Sequence, residues 1–118
     1  RRARAMKLWM SLRTYGARAF RDAVQRGIEL AEFTESHLRS QPDTWDIITP
    51  AQLGIVCFAL KGADAADHAA RAARVTQSGF ATLSSTMLKD RSALRLCTIN
   101  PLTTEGDITR TLEMLAQG

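Results

Sequence analysis

Residues 54–61, Gly-Ile-Val-Cys-Phe-Ala-Leu-Lys, form the longest segment with the composition of a strand interior. A short apolar run that contains β-branched and aromatic residues predicts a strand buried on both of its faces. Gly62 breaks the run, and Asp64 with Asp67 three positions later predicts the N-cap of a helix over residues 65–78. A strand followed directly by a helix indicates a mixed α and β domain.

The chain after this unit predicts two more strands and a final helix. Residues 80–87 and 93–99 have strand composition, and the polar stretch 89–92 between them indicates a turn. Side chains alternate between the two faces of the second strand, with Leu94, Leu96 and Thr98 on one face and Arg95, Cys97 and Ile99 on the other. Thr104 and Asp107 have the spacing of the first residues of a helix.

The chain before the central strand predicts two helices and a short strand. The helices are expected over residues 3–15 and 17–40, with Gly16 as the stop between them. The short strand is expected over residues 45–49, closed by Pro50.

Two features of the N-terminal helices predict how they pack. The first helix has an apolar stripe that we expect to lie in the core, formed by Ala5, Leu8, Trp9 and Leu12. In the second helix, Gly27 costs about 1 kcal/mol of helix propensity. A glycine at this position indicates the close approach of another backbone.

The predicted order of elements is therefore ααββαββα. We predict an α+β fold in which a small, largely antiparallel sheet has helices packed on one face and is preceded by the two N-terminal helices. The chain has 118 residues and no internal repeat or linker, so a single domain over residues 1–118 is expected. Its longest apolar run, residues 53–60, is too short to span a bilayer, and no membrane partner is expected.

Basic residues are concentrated at the N-terminus. Residues 1–21 hold seven basic residues and no acidic residue, whereas the rest of the chain holds nine basic and twelve acidic residues. This stretch suits a solvated helix face or, alternatively, a basic module that binds nucleic acid or an acidic protein, with Trp9 and Tyr15 available for stacking. Because Trp9 falls on the apolar stripe, nucleic acid is not the expected partner.

The chain contains no complete catalytic motif. His37 and His68 are isolated from other metal-binding residue types at the usual ligand spacings, so no metal site is predicted. Cys57 and Cys97 lie in apolar runs, which predicts two buried thiols, without a disulfide, in a reducing cytoplasmic compartment. No phosphate-binding glycine motif occurs.

Arg95 is the candidate binding residue. It shares a strand face with Cys97 and Ile99, where a buried charge without a partner would cost several kcal/mol. One interpretation is an edge-strand arginine that reaches solvent or a structural carboxylate. The other is a guanidinium fork directed at a ligand carboxylate, which its planar geometry suits.

Three segments, in order along the chain, match one family pattern. The first is Arg-Ala-Met-Lys-Leu-Trp at 4–9 followed by Leu-Arg-Thr-Tyr-Gly at 12–16, and the second is Leu-Gly-Ile-Val-Cys-Phe at 53–58. The third combines Leu-Arg-Leu at 94–96 with Ile-Asn-Pro at 99–101 and the start of the last helix. Together they resemble the group II pyridoxal-phosphate-dependent amino-acid decarboxylases, which include the aromatic-L-amino-acid decarboxylases.

The resemblance implies that the chain is the C-terminal small domain of a fold-type I enzyme, with the large cofactor domain absent. It implies a decarboxylase, a carboxy-lyase of aromatic L-amino acids, in which this domain covers the active site and is inactive alone. The family lysine that holds the cofactor follows a histidine, whereas Lys7, Lys61 and Lys89 do not. Pyridoxal 5'-phosphate would therefore be bound by the full-length enzyme and not by this fragment.

The resemblance also implies the partners and one site residue. The partners are the chain's own large domain, a second subunit in a homodimer and the amino-acid substrate. No catalytic residue is carried over to this fragment. Arg95 alone matches a family position near the active site, where it would contact a substrate carboxylate.

Overall fold

An antiparallel sheet organises the structure, a computed structural model that describes residues 3–118. Within that range four strands occur in the spatial order β1-β2-β4-β3, namely β1 (Trp45–Gln52), β2 (Ile55–Leu60), β3 (Ser84–Leu88) and β4 (Arg91–Cys97). The helices are α1 (Arg4–Arg39), α2 (Ala65–Gln77) and α3 (Glu105–Ala116). Every strand pair is antiparallel, which confirms the predicted α+β class.

Helix α1 contains both of the predicted N-terminal helices and is broken where the sequence predicts a stop. Gly16 lies inside α1 with φ 82° and ψ 159°, which is not a helical conformation. Only glycine adopts this backbone region without strain, because a Cβ would meet the neighbouring backbone. The predicted order ααββαββα therefore holds, with the first two helices joined through a kink.

Three strands differ in extent from their predicted bounds. Strand β4 runs from Arg91 to Cys97 instead of over residues 93–99, because its pairing with β3 begins at Arg91, opposite Leu88. Strand β1 runs through Pro50 to Gln52 instead of ending at residue 49. Proline is tolerated there because β1 is an edge strand and its register is irregular between Thr49 and Gln52. Strand β3 begins at Ser84, opposite Arg95, and not at residue 80, because the preceding residues connect α2 to the sheet before pairing begins.

The main core lies between one face of the sheet and the three helices of the described range. Phe58 is fully buried and meets Trp45 edge to face, with ring centroids 5.4 Å apart. The other large members come from both layers: Leu30, Leu38, Val56, Val75, Leu94, Leu96, Ile108, Leu112 and Leu115. Leu94 and Leu96 thus lie on the core side of β4, as the alternation predicts.

The second face of the sheet carries a different cluster, which strand residues alone form. Its buried members are small or medium side chains, namely Ile48, Cys57, Ala59 and Ala93, with Ile55 and Leu88 partly buried against them. Strand β2 is therefore buried on both faces, as predicted, although no helix among residues 3–118 contributes to this second cluster. Small side chains are shielded here by their neighbours in the sheet.

Side-chain hydrogen bonds fasten the helices to one another and to the sheet. Asp64 caps α2, and Thr104 with Asp107 forms a capping box at the start of α3, as the sequence predicts. Arg71 and Arg74 of α2 donate to backbone carbonyl groups at the C-terminal end of α3 at 2.5–2.8 Å. These arginines satisfy acceptors that the end of a helix leaves free.

Gly27 marks the close approach of two backbones. The Thr98 hydroxyl, which is buried, donates to the carbonyl oxygen of Gly27 at 2.7 Å. The Cα atom of Ile99 lies 3.5 Å from the point that a Cβ on Gly27 would occupy. This confirms the predicted approach, although an added methyl group would make an ordinary van der Waals contact.

The first half of α1 projects from the domain and does not pack into its core. We call residues 4–24 the N-terminal arm. Seven of its large apolar residues are exposed, namely Met6, Leu8, Trp9, Met10, Leu12, Tyr15 and Val24, and Phe20 is half-buried. The prediction that Trp9 is buried was therefore wrong, because Trp9 is 61% exposed and contacts the Arg13 guanidinium 5.7 Å from its ring centroid. Arg1 and Arg2 lie outside the described residues.

The length and apolar character of the described helices determine whether any of them could span a membrane. Although α1 is long, its sequence alternates apolar and charged residues. Over residues 3–118, no helix combines the length and the apolar character needed to cross a bilayer.

Candidate functional site

Arg95 lies on the second face of the sheet, away from the main core. In the register of the strands it is opposite Cys57 of β2 and Ser84 of β3. Cross-strand partners point to the same side of a sheet, so these three side chains share the face without helices. Arg95 is exposed, and the predicted alternation along β4 is confirmed.

The side chains that surround Arg95 on this face are small. Cys57 and Ser84 flank it across the strands, and Ala93 and Cys97 flank it along β4. Cys57 and Ala93 are buried in the second cluster and form an apolar floor. A long cationic side chain on a floor of small apolar residues leaves space above the sheet for a ligand.

The charges of this face distinguish Arg95 from its neighbour Arg91. Nη2 of Arg91 donates to Oδ2 of Asp46 at 2.5 Å, so its charge is compensated by a carboxylate of β1, across the intervening strand β2. Over residues 3–118, no carboxylate lies within ion-pair distance of Arg95. The Arg95 guanidinium is therefore available to a carboxylate from outside the described chain, since its planar fork accepts such a group in a bidentate way.

His68 is buried beneath the sheet and has a structural role that sequence spacing did not reveal. Its Nε2 accepts a hydrogen bond from the Leu60 backbone N–H at 3.1 Å, and its Nδ1 lies 2.8 Å from the Ser92 hydroxyl. Because Nε2 is an acceptor, the ring proton is on Nδ1, which donates to Ser92. Desolvation lowers the pKa of His68, and the ring is neutral.

The other candidate metal-binding and nucleophilic residues do not converge. His37 packs beside Phe33 in the last turns of α1, with ring centroids 6.2 Å apart, whereas His68 lies in α2. No three side chains of the histidine, cysteine, aspartate and glutamate types converge as metal ligands within the described part of the chain. Cys57 is buried as predicted, whereas Cys97 is exposed because it lies on the open side of β4; both thiols are free.

A cavity of about 480 Å³ lies between the α2–β3 connection and the first turns of α3. Cys97, Asn100 and Thr103 line it, and Asp107 is the only charged residue among the lining residues that the structure describes. Without a cation in its lining, the cavity does not suit phosphate, and Arg95 does not line it.

The lysines of the chain do not build a cradle for pyridoxal phosphate. Lys7 lies in the N-terminal arm, and Lys89 lies in the turn between β3 and β4. Nζ of Lys61 donates to the carbonyl oxygen of Pro42 at 2.5 Å, at the end of β2. The three amines belong to separate parts of the structure. The residues described here therefore do not fit the cofactor that the resemblance implies.

The first 61 residues of the chain match the family model described as the pyridoxal-dependent decarboxylase conserved domain. The chain belongs to this family. It is 44% identical over 111 residues to the aromatic-L-amino-acid decarboxylase of Bacillus atrophaeus, covering 88% of this chain and 23% of that protein. It is also 29% identical over 117 residues to mouse histidine decarboxylase, covering 99% of this chain and 17% of the relative.

Solved structures give the same family. A TDC structure from Oryza sativa with PLP and tryptamine has a TM-score of 0.77 and 28% identity, over 98% of this chain and 26% of that chain. The tryptophan decarboxylase of Catharanthus roseus has a TM-score of 0.78 at 24% identity, over the same shares, which shows the fold. The predicted family is confirmed, and the chain spans about a sixth to a quarter of the length of these relatives.

Proposed function

We propose that this chain is the C-terminal small domain of a pyridoxal-phosphate-dependent decarboxylase of aromatic L-amino acids. Family membership and the 44% identity to a decarboxylase with this name support the reaction and the substrate class. The observation that carries the proposal is the Arg95 guanidinium, which is exposed on a sheet face without helices and has no carboxylate partner within residues 3–118.

The cofactor belongs to the rest of the polypeptide in this proposal. We infer that the isolated chain is inactive, and the positions of Lys7, Lys61 and Lys89 in separate parts of the fold support this proposal. In the full-length enzyme the cofactor would supply an electron sink, and it would be held by residues outside those described here. The contribution of this chain is to bind and orient the substrate and to exclude water from the site.

Arg95 performs the binding step. Its fork accepts a substrate carboxylate through two parallel N–H···O bonds, which determine orientation as well as affinity. The strand that carries Arg95 is an inner strand of the sheet, between β2 and β3. The guanidinium is therefore attached to a rigid element, which suits a positioning role.

The N-terminal arm supports the proposal that the chain packs against its own large domain. Six of its apolar residues are about half exposed or more, namely Met6, Leu8, Trp9, Met10, Tyr15 and Val24. A surface of this kind marks a contact with another protein surface. The domain covers the active site when docked in this way, within a cytoplasmic homodimer.

The test uses the full-length enzyme. We expect Arg95→Ala to lower kcat/KM for aromatic amino acids by roughly 10- to 100-fold, which corresponds to the loss of a charge-assisted hydrogen-bonded pair. The melting temperature should change little because Arg95 is exposed. Arg95→Lys keeps the charge but loses the fork, and should recover only part of the activity. Unchanged kinetics in Arg95→Ala would show that Arg95 does not bind the substrate carboxylate.

A second candidate function is a basic binding module for nucleic acid or an acidic protein. The observation that favours it is the exposure of Trp9 and Tyr15, at 61% and 70%, within the N-terminal stretch that holds seven basic residues. Such a module would show affinity for single-stranded nucleic acid that falls steeply with salt. The absence of retardation at low salt would eliminate it.

A further inference from the structure

The open sheet surface beside Arg95 has small side chains beneath it and at its border. Cys57 and Ala93 lie beneath it and belong to the apolar cluster of the second sheet face. Ser84 borders it across the β3–β4 pair, and Cys97 borders it two residues along β4. Both border residues are exposed, so their side chains meet whatever lies against this face.

The chemistry of this surface defines a class of ligand. The guanidinium requires an anion, and carboxylate matches its fork. The floor is apolar and offers no charge of its own, so it favours an apolar group attached to the carboxylate over a second polar one. An apolar group of this kind, such as a ring or a long aliphatic chain, fits over the area of the sheet that the small border residues leave uncovered.

We propose that Ser84 and Cys97 determine substrate specificity by leaving room beside the Arg95 guanidinium for the bulky apolar side chain of a carboxylate substrate. This inference rests on the proposed function, since it assigns Arg95 to a substrate carboxylate. It goes further in naming the residues that set the size of the accepted side chain. A larger residue at either position would fill the space and leave the Arg95 guanidinium unchanged.

The experiment measures competitive inhibition of the full-length enzyme by two carboxylates, indole-3-acetate and acetate. Ser84→Leu and Cys97→Leu add volume at two positions beside Arg95, one across the β3–β4 pair and one along β4. Ser85→Leu is the matched control, because Ser85 is the next residue of β3, is also exposed and pairs with Leu94 on the core side. Thermal unfolding identifies any variant that fails to fold, and the other border variant then decides.

We expect both border variants to raise the inhibition constant of indole-3-acetate by about tenfold, roughly 1.4 kcal/mol, while that of acetate stays within about twofold. Ser85→Leu should leave both constants unchanged. Equal weakening of acetate and indole-3-acetate, or no change in either, would overturn the inference.

Arg95→Ala separates this inference from the proposed function. If Arg95→Ala weakens both inhibitors while the leucine variants change nothing, the proposed function stands and the specificity role of the border is wrong. If Arg95→Ala weakens neither inhibitor, the assignment of Arg95 to a carboxylate fails, and with it the inference about the border.

Discussion

His68 of α2 accepts a hydrogen bond at Nε2 from the backbone N–H of Leu60, the last residue of β2. The same ring meets the Ser92 hydroxyl of β4 through Nδ1, so one buried side chain ties a helix to the two central strands. The ring is 1% exposed, and both of its nitrogen atoms have partners. Protonation of Nε2 would remove the bond to Leu60, which makes the contact sensitive to acid.

This contact predicts a loss of stability in mild acid. Burial lowers the pKa of His68 below its usual value of 6.5, so the unfolded chain binds this proton at a higher pH than the folded chain. The stabilisation is complete above about pH 6.5 and is lost as the pH falls from there towards the folded pKa. The measurement is the free energy of unfolding in urea between pH 7.5 and 5.

His68→Gln provides the control for that pH dependence. The variant should be less stable at pH 7.5 and should lose the slope below pH 6.5. Glu35 still titrates at lower pH, because hydrogen bonds from the Ala51 backbone and from Arg39 lower its pKa below 4.5. The stabilisation that Glu35 contributes is present above about pH 4.5 and is lost as the pH falls further, towards the lowered pKa of Glu35. A slope in His68→Gln equal to that of the original chain would contradict the assignment to His68.

The buried hydroxyl of Thr98 predicts a larger loss of stability than that of an exposed threonine. Thr98 donates to the carbonyl oxygen of Gly27 at 2.7 Å and lies 3.3 Å from that of Gly54. Thr98→Val keeps the volume but leaves these acceptors without that donor, which should cost about 1–3 kcal/mol. Thr82→Val, at an exposed position, is the control and should change stability by less than about 0.5 kcal/mol in the same urea unfolding measurement.

The capping box of α3 predicts the effect of removing one hydroxyl group. The side chain of Thr104 accepts a hydrogen bond from the Asp107 backbone N–H at 3.1 Å, and Asp107 accepts one from the Thr104 N–H at 2.9 Å. Thr104→Ala should cost about 1 kcal/mol, seen as a lower melting temperature. Thr103→Ala, one residue earlier and outside the box, should have little effect. Equal losses in both variants would show that the box is not the cause.

The two tryptophans predict opposite fluorescence behaviour. Trp9 is 61% exposed in the arm, whereas Trp45 is 3% exposed in the core. In this chain alone, Trp45→Phe should leave a red-shifted emission that acrylamide quenches readily, and Trp9→Phe should leave a blue-shifted emission that resists quenching. In the full-length enzyme, packing of the arm against the large domain should protect Trp9. Strong quenching of Trp9 there would contradict the proposed docking.

Local patterns predicted most of the secondary structure correctly, because the forces that start and stop these elements act over a few residues. Asp64 and Thr104 begin their helices through bonds to residues three positions later. Gly16 breaks α1 through its own backbone conformation. The limits of β1, β3 and β4 were less accurate, because a strand ends where pairing with its partner ends, which the local sequence does not show.

The candidate site was predicted only in part. Alternation along β4 separates Arg95 from Leu94 and Leu96, so its face follows from the sequence. The small residues around it come from β2 and β3, and only the strand register brings them together. The bonding partners of His68 were missed for the same reason, since Ser92 is 24 residues away.

The sequence by itself determined the family, the α+β class, the helix caps and the orientation of Arg95, all of which depend on local spacing. Tertiary structure decided which apolar surfaces are covered. The stripe of Leu8, Trp9 and Leu12 predicts burial, but the kinked arm extends beyond the sheet, and burial requires a partner surface in addition to an apolar face. Tertiary structure also decided that Asp46 neutralises Arg91 and leaves Arg95 available, because the fold sets β1 across β2 from β4 and brings these two charges together.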